Sequence, residues 1–209
     1  MTAVGTTSLR ERRTARTRDA IVAAALELFE ERGFQGTTVD EIAARADVAP
    51  RTFFRYFPTK EAVLFARAAD DRAKIAAALG ARPLREHPFV SLMTVVGTYT
   101  EETEKQKKDI RLLLKISEER PEVWAYQRTL LETEMVQMLA GFVAGRLGVD
   151  IDTDPRPRVW AALVMTTYRI AFRMWLDGGQ KGRLGPLLDR ALAATVEASA
   201  VLSAEHGEG

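Results

Sequence analysis

The stretch Thr37–Lys60, TTVDEIAARADVAPRTFFRYFPTK, decides the fold of this chain. Thr38 followed three residues later by Glu41 is the pattern of a capping box, in which each side chain binds the other residue's backbone N–H at the start of a helix. The apolar residues of that helix form one stripe, namely Val39, Ile42, Ala43 and Ala46. Asp47 then falls in a turn, where it tolerates a positive φ better than most residues other than glycine. The stretch therefore predicts two short helices joined by a tight turn.

The second short helix is predicted to begin at Pro50, because a first helical position does not need the N–H that proline lacks. It is predicted to end at Tyr56 or Phe57. Phe53 and Phe57 are one turn apart and are expected to face inward. The other side chains are expected to point outward, namely Arg51, Thr52, Phe54, Arg55 and Tyr56. So short a helix with such a surface is predicted to be the recognition helix of a helix-turn-helix that enters a DNA major groove.

The outward side chains suggest particular contacts with DNA. Arg51 and Arg55 are one turn apart, and each is expected to read a base, because a guanidinium can bind O6 and N7 of guanine together. Tyr56 is expected to bind a phosphate, and Thr52 also to contact DNA. Phe54 is expected to pack on a sugar or on a thymine methyl group.

The rest of the chain is also predicted to be helical, since no segment alternates apolar and polar residues as a strand does. A first helix is predicted at residues 17–32, with Thr17 as its N-cap and Gly33 just beyond its end. A fourth helix is predicted at residues 60–79, capped by Thr59. Residues 80–88 contain two prolines and form the predicted domain boundary.

The predicted fold class is all-α, with about nine helices. Residues 1–60 are predicted to form an N-terminal arm and a three-helix, helix-turn-helix DNA-binding domain. Residues 60–79 link it to a second helical domain, residues 80–209. Apolar patterning predicts the helices of that second domain at about 89–107, 110–117, 121–146 and 158–177, and a last one that begins at 184 or 185 and ends at about 202.

Composition excludes several kinds of site. The 209 residues include no cysteine, which removes disulfides, thiolate metal ligands and cysteine nucleophiles. The two histidines, His87 and His206, are far apart in the sequence, so neither a histidine metal site nor a catalytic relay is expected, and no cofactor is predicted. No segment approaches the roughly 18 uninterrupted apolar residues that would span a bilayer. A cytoplasmic protein without membrane partners is expected.

The N-terminal 18 residues form a basic arm, although the net charge of the whole chain is only +1. Glu11 is the single acid among its five arginines, Arg10, Arg12, Arg13, Arg16 and Arg18. Such an arm could contact DNA phosphates, whose neutralisation releases counterions. It could equally be a solvated tail, and the sequence leaves both readings open.

The chain resembles the TetR family of bacterial transcriptional repressors. The matching residues run from about Arg18 to Phe65 and include DAIVAAALELFEERGFQGTTVDEIAARADV and PRTFFRYFPTKEAVLF. The family's typical core is Thr or Leu, an aromatic pair, a variable residue, His or Tyr, Phe, two residues and Lys, and residues 52–60, TFFRYFPTK, fit it at nearly every place. The C-terminal two-thirds carries no family motif. The TFFRYFP variant is similar to members that resemble acyl-thioester sensors such as the mycofactocin-type regulator, but it does not identify an effector.

The resemblance implies that Lys60 contacts a DNA phosphate at the start of the fourth helix. Thr38 is expected to bind a phosphate as well as to cap. This sequence departs from the family at three places. Asp47 stands where the family commonly has glycine, and Ala49 removes a side-chain N-cap worth roughly 1 kcal/mol. Phe54 replaces a tyrosine, so the phosphate-binding hydroxyl inferred from the family is absent.

The resemblance also implies a homodimer, in which the last two helices pair with their copies in a second chain as a four-helix bundle. Apolar residues on more than one face of these helices support this independently: Trp160, Leu163, Ile170, Met174, Leu187 and Leu188. Two recognition helices related by a two-fold axis would then read two half-sites. A fully buried central helix in a monomer is the alternative.

The helices between residues 89 and 172 are also expected to enclose a pocket for a small-molecule effector. Its candidate liners are adaptable apolar or amphipathic side chains: Met93, Tyr99, Trp124, Met135, Met138, Met165 and Tyr168. Arg169 and Arg173 lie one turn apart on an otherwise apolar helix. They either anchor an acidic ligand or pair with acids such as Glu132 or Glu134, and the pairing is favoured.

Together these features predict a DNA-binding transcriptional regulator. It is expected to be a repressor that leaves a pseudo-palindromic operator in double-stranded DNA when the effector binds. One alternative is an architectural DNA-binding protein without a ligand. Another is an all-helical enzyme, against which stand the missing cysteines, the unpaired histidines and the lack of a glycine-rich phosphate loop or a Glu-x-x-His helix.

Overall fold

A computed structural model describes the backbone of residues 9–206. The side chains of Glu11, Ala69, Ser199 and residues 122–124, 126–128, 130–131 and 201–206 lie outside this description. The described part of the chain is all-α, which confirms the predicted fold class. Its ten helices are α1 (Leu9–Arg32), α2 (Val39–Arg45), α3 (Pro50–Tyr56), α4 (Lys60–Leu64), α5 (Ala66–Gly80), α6 (Pro88–Lys105), α7 (Lys107–Glu119), α8 (Pro121–Leu147), α9 (Arg156–Asp177) and α10 (Gly185–His206).

Helix α1 begins at Leu9, so the predicted start at Thr17 is wrong. The hydroxyl of Thr17 donates back to the carbonyl oxygen of Arg13 at 3.0 Å, a bond typical of a threonine inside a helix. Arginine is among the better helix formers, so the arginine-rich segment before Thr17 continues the helix. Gly33 follows the end of α1 with a φ of 77°, as predicted.

The single helix predicted at residues 60–79 is two helices, α4 and α5, which is why residues 9–206 contain ten helices rather than about nine. They separate at Phe65, whose N–H donates to the carbonyl oxygen of Ala62 at 3.3 Å, only three residues back. The predicted cap of α4 is confirmed, since the Thr59 side chain accepts a hydrogen bond from the Ala62 N–H at 3.3 Å.

The helices form two compact units. The N-terminal unit comprises the chain up to Asp70 together with Lys108–Gln127, and the C-terminal unit comprises Asp71–Lys107 and the chain from Arg128 onward. All three crossings between the units fall inside helices: one in α5, one after the first residue of α7 and one in α8. Sequence patterning places residues 108–127 after the domain boundary, whereas the structure groups them with the N-terminal helices.

The apolar core of the N-terminal unit joins α1, α2 and α3. Its largest fully buried side chains are Ile21, Leu28, Phe29, Phe34, Ile42 and Phe53. Helix α7 contributes the buried Ile116 to the same cluster. Ion pairs of 2.7 Å join Lys108 to Glu30 and Asp109 to Arg67. Helix α7 therefore packs against the N-terminal unit and stabilises the core beneath the helix-turn-helix.

In the C-terminal unit, α9 packs against α10 and α6. Trp175 is fully buried, and its indole N–H donates to the carbonyl oxygen of Gly182 at 3.4 Å. The link between α9 and α10 turns sharply because Gly179 and Gly182 adopt φ values of 69° and 74°, which glycine reaches without strain. The Leu184 N–H donates to the Glu104 carboxylate at 2.6 Å, which ties the start of α10 to α6.

Candidate nucleic-acid interface

The capping box that begins α2 forms as predicted. The Glu41 N–H donates to the Thr38 hydroxyl oxygen at 3.2 Å, and the Thr38 N–H donates to the Glu41 carboxylate at 2.9 Å. Hydrogen bonds from the Thr38 backbone, and then from its side chain, lower the pKa of Glu41. The Thr38 hydroxyl itself donates to Glu41 at 2.9 Å. A phosphate at exposed Thr38 would therefore compete with Glu41 for that hydroxyl proton.

The turn between α2 and α3 adopts the predicted left-handed conformation at Asp47, with a φ of 53°. The Val48 N–H donates to the carbonyl oxygen of Ala43 at 2.9 Å, which closes the turn onto the end of α2. Val48 packs against the apolar core, as expected for a residue beneath the turn. An aspartate can thus hold the position where glycine is common, because its short polar side chain tolerates this region.

Helix α3 carries the predicted inward pair. Phe53 is 0% exposed and Phe57 4% exposed, and their ring centroids lie 5.8 Å apart. Pro50 occupies the first turn, and Ala49 precedes it with no side-chain cap, both as predicted. Two buried aromatic rings fix the rotation of this short helix about its own axis, and that rotation decides which side chains face outward.

Three of the predicted outward side chains of α3 are exposed: Arg51, Phe54 and Arg55. Thr52 and Tyr56 are half-buried. The Arg55 guanidinium lies 5.1 Å above the ring centroid of Tyr56, and one of its nitrogens is 3.5 Å from the Tyr56 hydroxyl. Because Tyr56 packs against the core, this stacking holds the Arg55 side chain close to the helix surface.

Lys60 lies at the start of α4, as predicted, but its ammonium group is committed within the protein. It donates to the carbonyl oxygens of Phe34 at 2.8 Å and Thr37 at 2.9 Å. The same nitrogen is 4.4 Å from the ring centroid of Phe34. An ammonium has three N–H donors, so only one remains for any further acceptor such as a phosphate.

Arg18, which the sequence assigns to the basic arm, has a structural role that pattern reasoning missed. Its guanidinium donates to the Asp70 carboxylate and to the carbonyl oxygen of Ala66, both at 2.6 Å. It also lies 5.6 Å from the ring centroid of Phe57. Arg18 therefore joins α1 to the first turns of α5 and to the end of the recognition helix. Its partners are about 50 residues away in sequence, so no local signal reveals them.

The C-terminal unit contains a groove of about 480 Å³ between α5 and α6. Its walls include Ile75, Ala78, Ala81, Val95, Thr98 and Tyr99, and its charged members are Lys74, Arg82 and Glu102. Tyr99 is the one predicted effector-pocket residue among them. Burial raises the pKa of Tyr99, and a hydrogen bond with Asp71 raises it further, so this phenol stays protonated.

The other predicted pocket residues whose side chains the structure describes do not line this groove. Tyr168 donates to or accepts from the Thr103 hydroxyl at 2.9 Å, its ring stacks on Phe172, and burial raises its pKa to about 12. The side chain of Trp124 lies outside the described residues. Four predicted liners are half-buried, namely Met93, Met135, Met138 and Met165. Their roles stay predictions.

The two arginines of α9 form ion pairs, the alternative that the sequence favours. Arg169 lies 3.6 Å from the Glu132 carboxylate. Arg173 pairs with Asp177 one turn along the same helix, at 3.0 Å, and not with Glu132 or Glu134. Both arginines are exposed. Neither is among the residues that line the groove between α5 and α6.

The part of the chain that the structure describes offers neither a metal site nor a membrane-spanning helix. No group of three or more His, Cys, Asp or Glu side chains in that part of the chain is arranged to hold a metal ion. None of the helices described there is both long and apolar enough to cross a bilayer.

An N-terminal helix-turn-helix in a chain that also has a separate helical unit defines a class of protein, the helix-turn-helix transcriptional regulators. The chain belongs to the TetR family within that class. Residues 21–66 match the family described as bacterial regulatory proteins, tetR family, and residues 86–200 match the MftR C-terminal domain. The resemblance seen in the sequence is thus confirmed, and the chain is a DNA-binding regulator rather than an enzyme.

Two relatives match along most of their length. The HTH-type transcriptional regulator TcmR of Streptomyces glaucescens is 36% identical over 173 residues, which cover 80% of this chain and 76% of TcmR. MftR of Mycobacterium tuberculosis, named as a mycofactocin biosynthesis transcriptional regulator, is 30% identical over 169 residues, covering 79% of this chain and 82% of MftR. The similarity therefore extends well beyond the helix-turn-helix.

Solved structures with the same fold include two bound to small molecules. Thermus thermophilus FadR, a TetR family transcriptional repressor in complex with lauroyl-CoA, has a TM-score of 0.56 and 25% identity, covering 86% of this chain and 93% of FadR. The SmeT–triclosan complex has a TM-score of 0.59 and 20% identity, covering 85% of this chain and 90% of SmeT. At that identity, SmeT supports the fold alone.

Proposed function

We propose that this regulator is a homodimeric repressor that binds a pseudo-palindromic operator and is released when a small-molecule effector binds the C-terminal unit. It would act in the bacterial cytoplasm, where the operator lies. The observation that supports DNA binding is that α3, a seven-residue helix, has a buried face and an exposed face. Phe53 is fully buried, whereas Arg51, Phe54 and Arg55 are exposed. A surface of two arginines and an aromatic ring suits base edges and thymine methyl groups.

Within this proposal, each outward residue has a role. Arg51 and Arg55 read bases, Phe54 packs on a sugar or a thymine methyl group, and Thr52 and Tyr56 contact the backbone. Thr38 and Lys60 have fewer free donors than the sequence suggests, because Glu41 and two backbone carbonyl groups already occupy them. We assign these two residues first to positioning α2 and α3, and only second to phosphate.

The dimer is supported by apolar side chains that remain exposed on the last two helices. On α9, Val159 is 56% exposed, Ile170 48% and Met174 39%, and on α10 Val196 is 62% exposed. The three residues of α9 recur at spacings that keep them on one side of a helix. A second copy covering this side would place two α3 helices about a two-fold axis, which a pseudo-palindrome requires.

The effector site is proposed at the groove between α5 and α6. Its walls are mainly apolar, and Lys74, Arg82 and Glu102 supply charge. That combination suits a ligand with an apolar body and a polar or anionic end. The neighbour FadR of Thermus thermophilus is named with lauroyl-CoA, a ligand of this chemical character. Binding here would favour a conformation whose recognition helices no longer fit the operator.

An architectural DNA-binding protein without an effector is the remaining alternative. It would bind duplexes with little preference for sequence, because phosphate contacts carry no sequence information. The buried Phe53–Phe57 pair argues against it, since a recognition helix with a fixed orientation serves base readout.

One experiment separates these functions. Sequences bound by the full chain are selected from a random duplex pool, and the enriched duplex is then used in gel shifts with excess nonspecific DNA, with and without fatty acyl-CoA thioesters of different lengths. Enrichment of a two-fold symmetric site, with release by one or more thioesters, is expected. A failure to enrich any site would contradict the specific regulator, and a symmetric site that no apolar anionic compound releases would contradict the effector assignment.

A further inference from the structure

The N-terminal extension of α1 forms one wall of a cationic groove in the N-terminal unit. The other wall is the end of the recognition helix, Arg55 and Tyr56. From α1 come Arg10, Arg13, Thr14 and Thr17. The groove has a volume of about 880 Å³, far more than a single water of about 30 Å³ needs. It exists because α1 begins at Leu9, so the arginines before Thr17 are held on a helix.

The three arginines of this groove have no carboxylate partner among the described residues. Other arginines of the same unit do. Arg18 pairs with Asp70, Arg32 with Glu41, and Arg45 with Glu31, at 2.6 to 3.0 Å. Three guanidinium groups that line one groove without neutralisation repel each other, and an anion relieves that repulsion. Each guanidinium also presents a planar pair of N–H donors that matches two phosphate oxygens.

Hydroxyl groups add to the same chemistry. Thr14 and Tyr56 each bring an O–H donor to the lining, whereas Thr17 has already given its proton to the Arg13 carbonyl oxygen. The described part of the lining therefore offers hydrogen-bond donors from guanidinium and hydroxyl groups, and it contains no carboxylate. A ligand rich in acceptor oxygens and negative charge fits such a surface.

We propose that this groove binds the phosphodiester backbone of the operator, next to the base pairs that α3 reads. The proposal rests on the proposed operator binding and goes beyond it by assigning the contact to Arg10 and Arg13. Arg55 and Tyr56 belong to both the groove and the recognition helix, so the anion bound here is the backbone that continues from the recognised bases. Arg12 and Arg16 lie on the same extension but outside the groove, and they make no such contact.

The pairs Arg10/Arg13 and Arg12/Arg16 provide a matched test. Arg10→Gln/Arg13→Gln and Arg12→Gln/Arg16→Gln each remove two exposed positive charges from one helix, and glutamine preserves helix propensity. Dissociation constants are measured for the full chain on the selected operator duplex across a salt series. The first variant is expected to bind at least about tenfold more weakly, with a log–log salt slope smaller by roughly 2 for each of the two half-sites. The second variant is expected to bind like the wild type.

Further measurements keep the outcome decisive. Thermal melting without DNA checks that both variants are folded, and Arg10→Lys/Arg13→Lys, which retains the charge, should restore most of the salt slope.

Equal losses of operator affinity in the two glutamine variants, or no loss in either, would overturn the groove assignment while wild-type operator binding stands. Binding of inorganic phosphate by the free protein that disappears in Arg10→Gln/Arg13→Gln, with operator affinity unchanged, would assign the groove to a small anion instead. No specific operator for the wild type would remove both the function and the groove contact.

Discussion

Lys60 and Phe34 are joined twice, because the lysine ammonium both donates to the Phe34 carbonyl oxygen at 2.8 Å and lies 4.4 Å from the centroid of its ring. Phe34 belongs to the loop between α1 and α2 and is buried in the core. The start of α4 is thereby fixed to the loop that precedes the helix-turn-helix. A lysine that the family resemblance assigns to phosphate is thus also a structural support for α2 and α3.

This relationship predicts that Lys60→Met destabilises the free protein. Methionine keeps an apolar stem but has no donor, so the carbonyl oxygens of Phe34 and Thr37 lose a charged partner, and a loss of about 1.5–3 kcal/mol in unfolding free energy is expected. Denaturant unfolding without DNA measures it. Lys115→Met, an exposed lysine on α7, is the control. Unchanged stability together with a smaller salt slope for DNA binding would show that phosphate contact is the only role of Lys60.

Substitutions of Phe53 and Phe54 are predicted to have different effects, the first on folding stability and the second on DNA binding. Phe53→Ala empties a fully buried site and is expected to cost about 3–5 kcal/mol of unfolding free energy. Phe54, its neighbour, is 55% exposed, so Phe54→Ala is expected to change stability by no more than about 0.5 kcal/mol while weakening operator binding. Unfolding curves and operator titrations of both variants test this. A similar loss of stability in both would mean that Phe54 is a core residue.

Arg55→Ala is predicted to weaken specific operator binding by about 1–3 kcal/mol and to relax the preference at one base pair in each half-site. Titrations on a set of operators with single base changes measure both effects. Arg85→Ala, an exposed arginine in the segment between α5 and α6, serves as the control. A loss that is uniform across sequences and lowers the salt slope would instead assign Arg55 to phosphate. Titration curves of Arg55→Ala that match those of the wild type would show that Arg55 does not contact DNA.

Ile170→Asp and Met174→Asp are predicted to convert a dimer into monomers. Each places a charge on the exposed apolar side of α9, where a second copy would have to desolvate it. Sedimentation velocity at micromolar concentration should give a mass near twice 23.2 kDa for the wild type and near 23.2 kDa for the variants. Leu84→Asp, which alters a residue that is 86% exposed elsewhere in the same unit, should remain dimeric. A monomeric wild type would exclude the dimer.

Glu86 is predicted to make the C-terminal unit sensitive to acid. Hydrogen bonds from the Arg82 side chain, and then from Ser91, lower the pKa of Glu86 from 4.5 to about 2. Arg146 donates to the carbonyl oxygens of Arg82 and Pro83 at 2.8 and 2.7 Å, so the same cluster holds the 81–87 segment to α8. Since the folded pKa is depressed, the stabilisation is complete above the unfolded pKa and is lost as the pH falls through 4 towards about 2.

Equilibrium unfolding as a function of pH tests the role of Glu86. Glu86→Gln should be less stable than the wild type at pH 6, and the difference should close as the pH falls through about 4 towards about 2. Glu118→Gln, an exposed glutamate on α7, should follow the wild type throughout. A difference between wild type and Glu86→Gln that does not change with pH would mean that the carboxylate contributes packing and not charge.

The details of the helix-turn-helix could be predicted because they depend on neighbours in the sequence. The Thr38–Glu41 box, the positive φ of Asp47 and the burial of Phe53 follow from spacings of three or four residues and from local backbone preferences. The contacts of Arg18 with Asp70 and of Lys60 with Phe34 could not be predicted, because the partners are 52 and 26 residues apart.

The groove between α5 and α6 shares only Tyr99 with the pocket residues that the sequence suggests, for a different reason. Large, adaptable side chains such as Met138 and Met165 suggest a pocket by their type, yet they can equally fill space in a core. The groove between α5 and α6 opens instead beside small side chains, including Ala78 and Ala81, which leave space unfilled. Only the packed structure reveals where a short side chain faces a gap.

The N-terminal unit is discontinuous in the sequence, since Ile116 of α7 completes the core that Ile21 and Phe53 begin. A single cut near residue 80, made to exchange the DNA-binding unit between two regulators, would separate α7 from the helices that it packs against. In the resulting chimaera, Ile116 would be replaced by a residue of the other regulator, whose side chain did not evolve to pack in this core. A chimaera that kept its reading specificity would have to carry residues 108–127 along with the first 70, as two separate pieces of the gene.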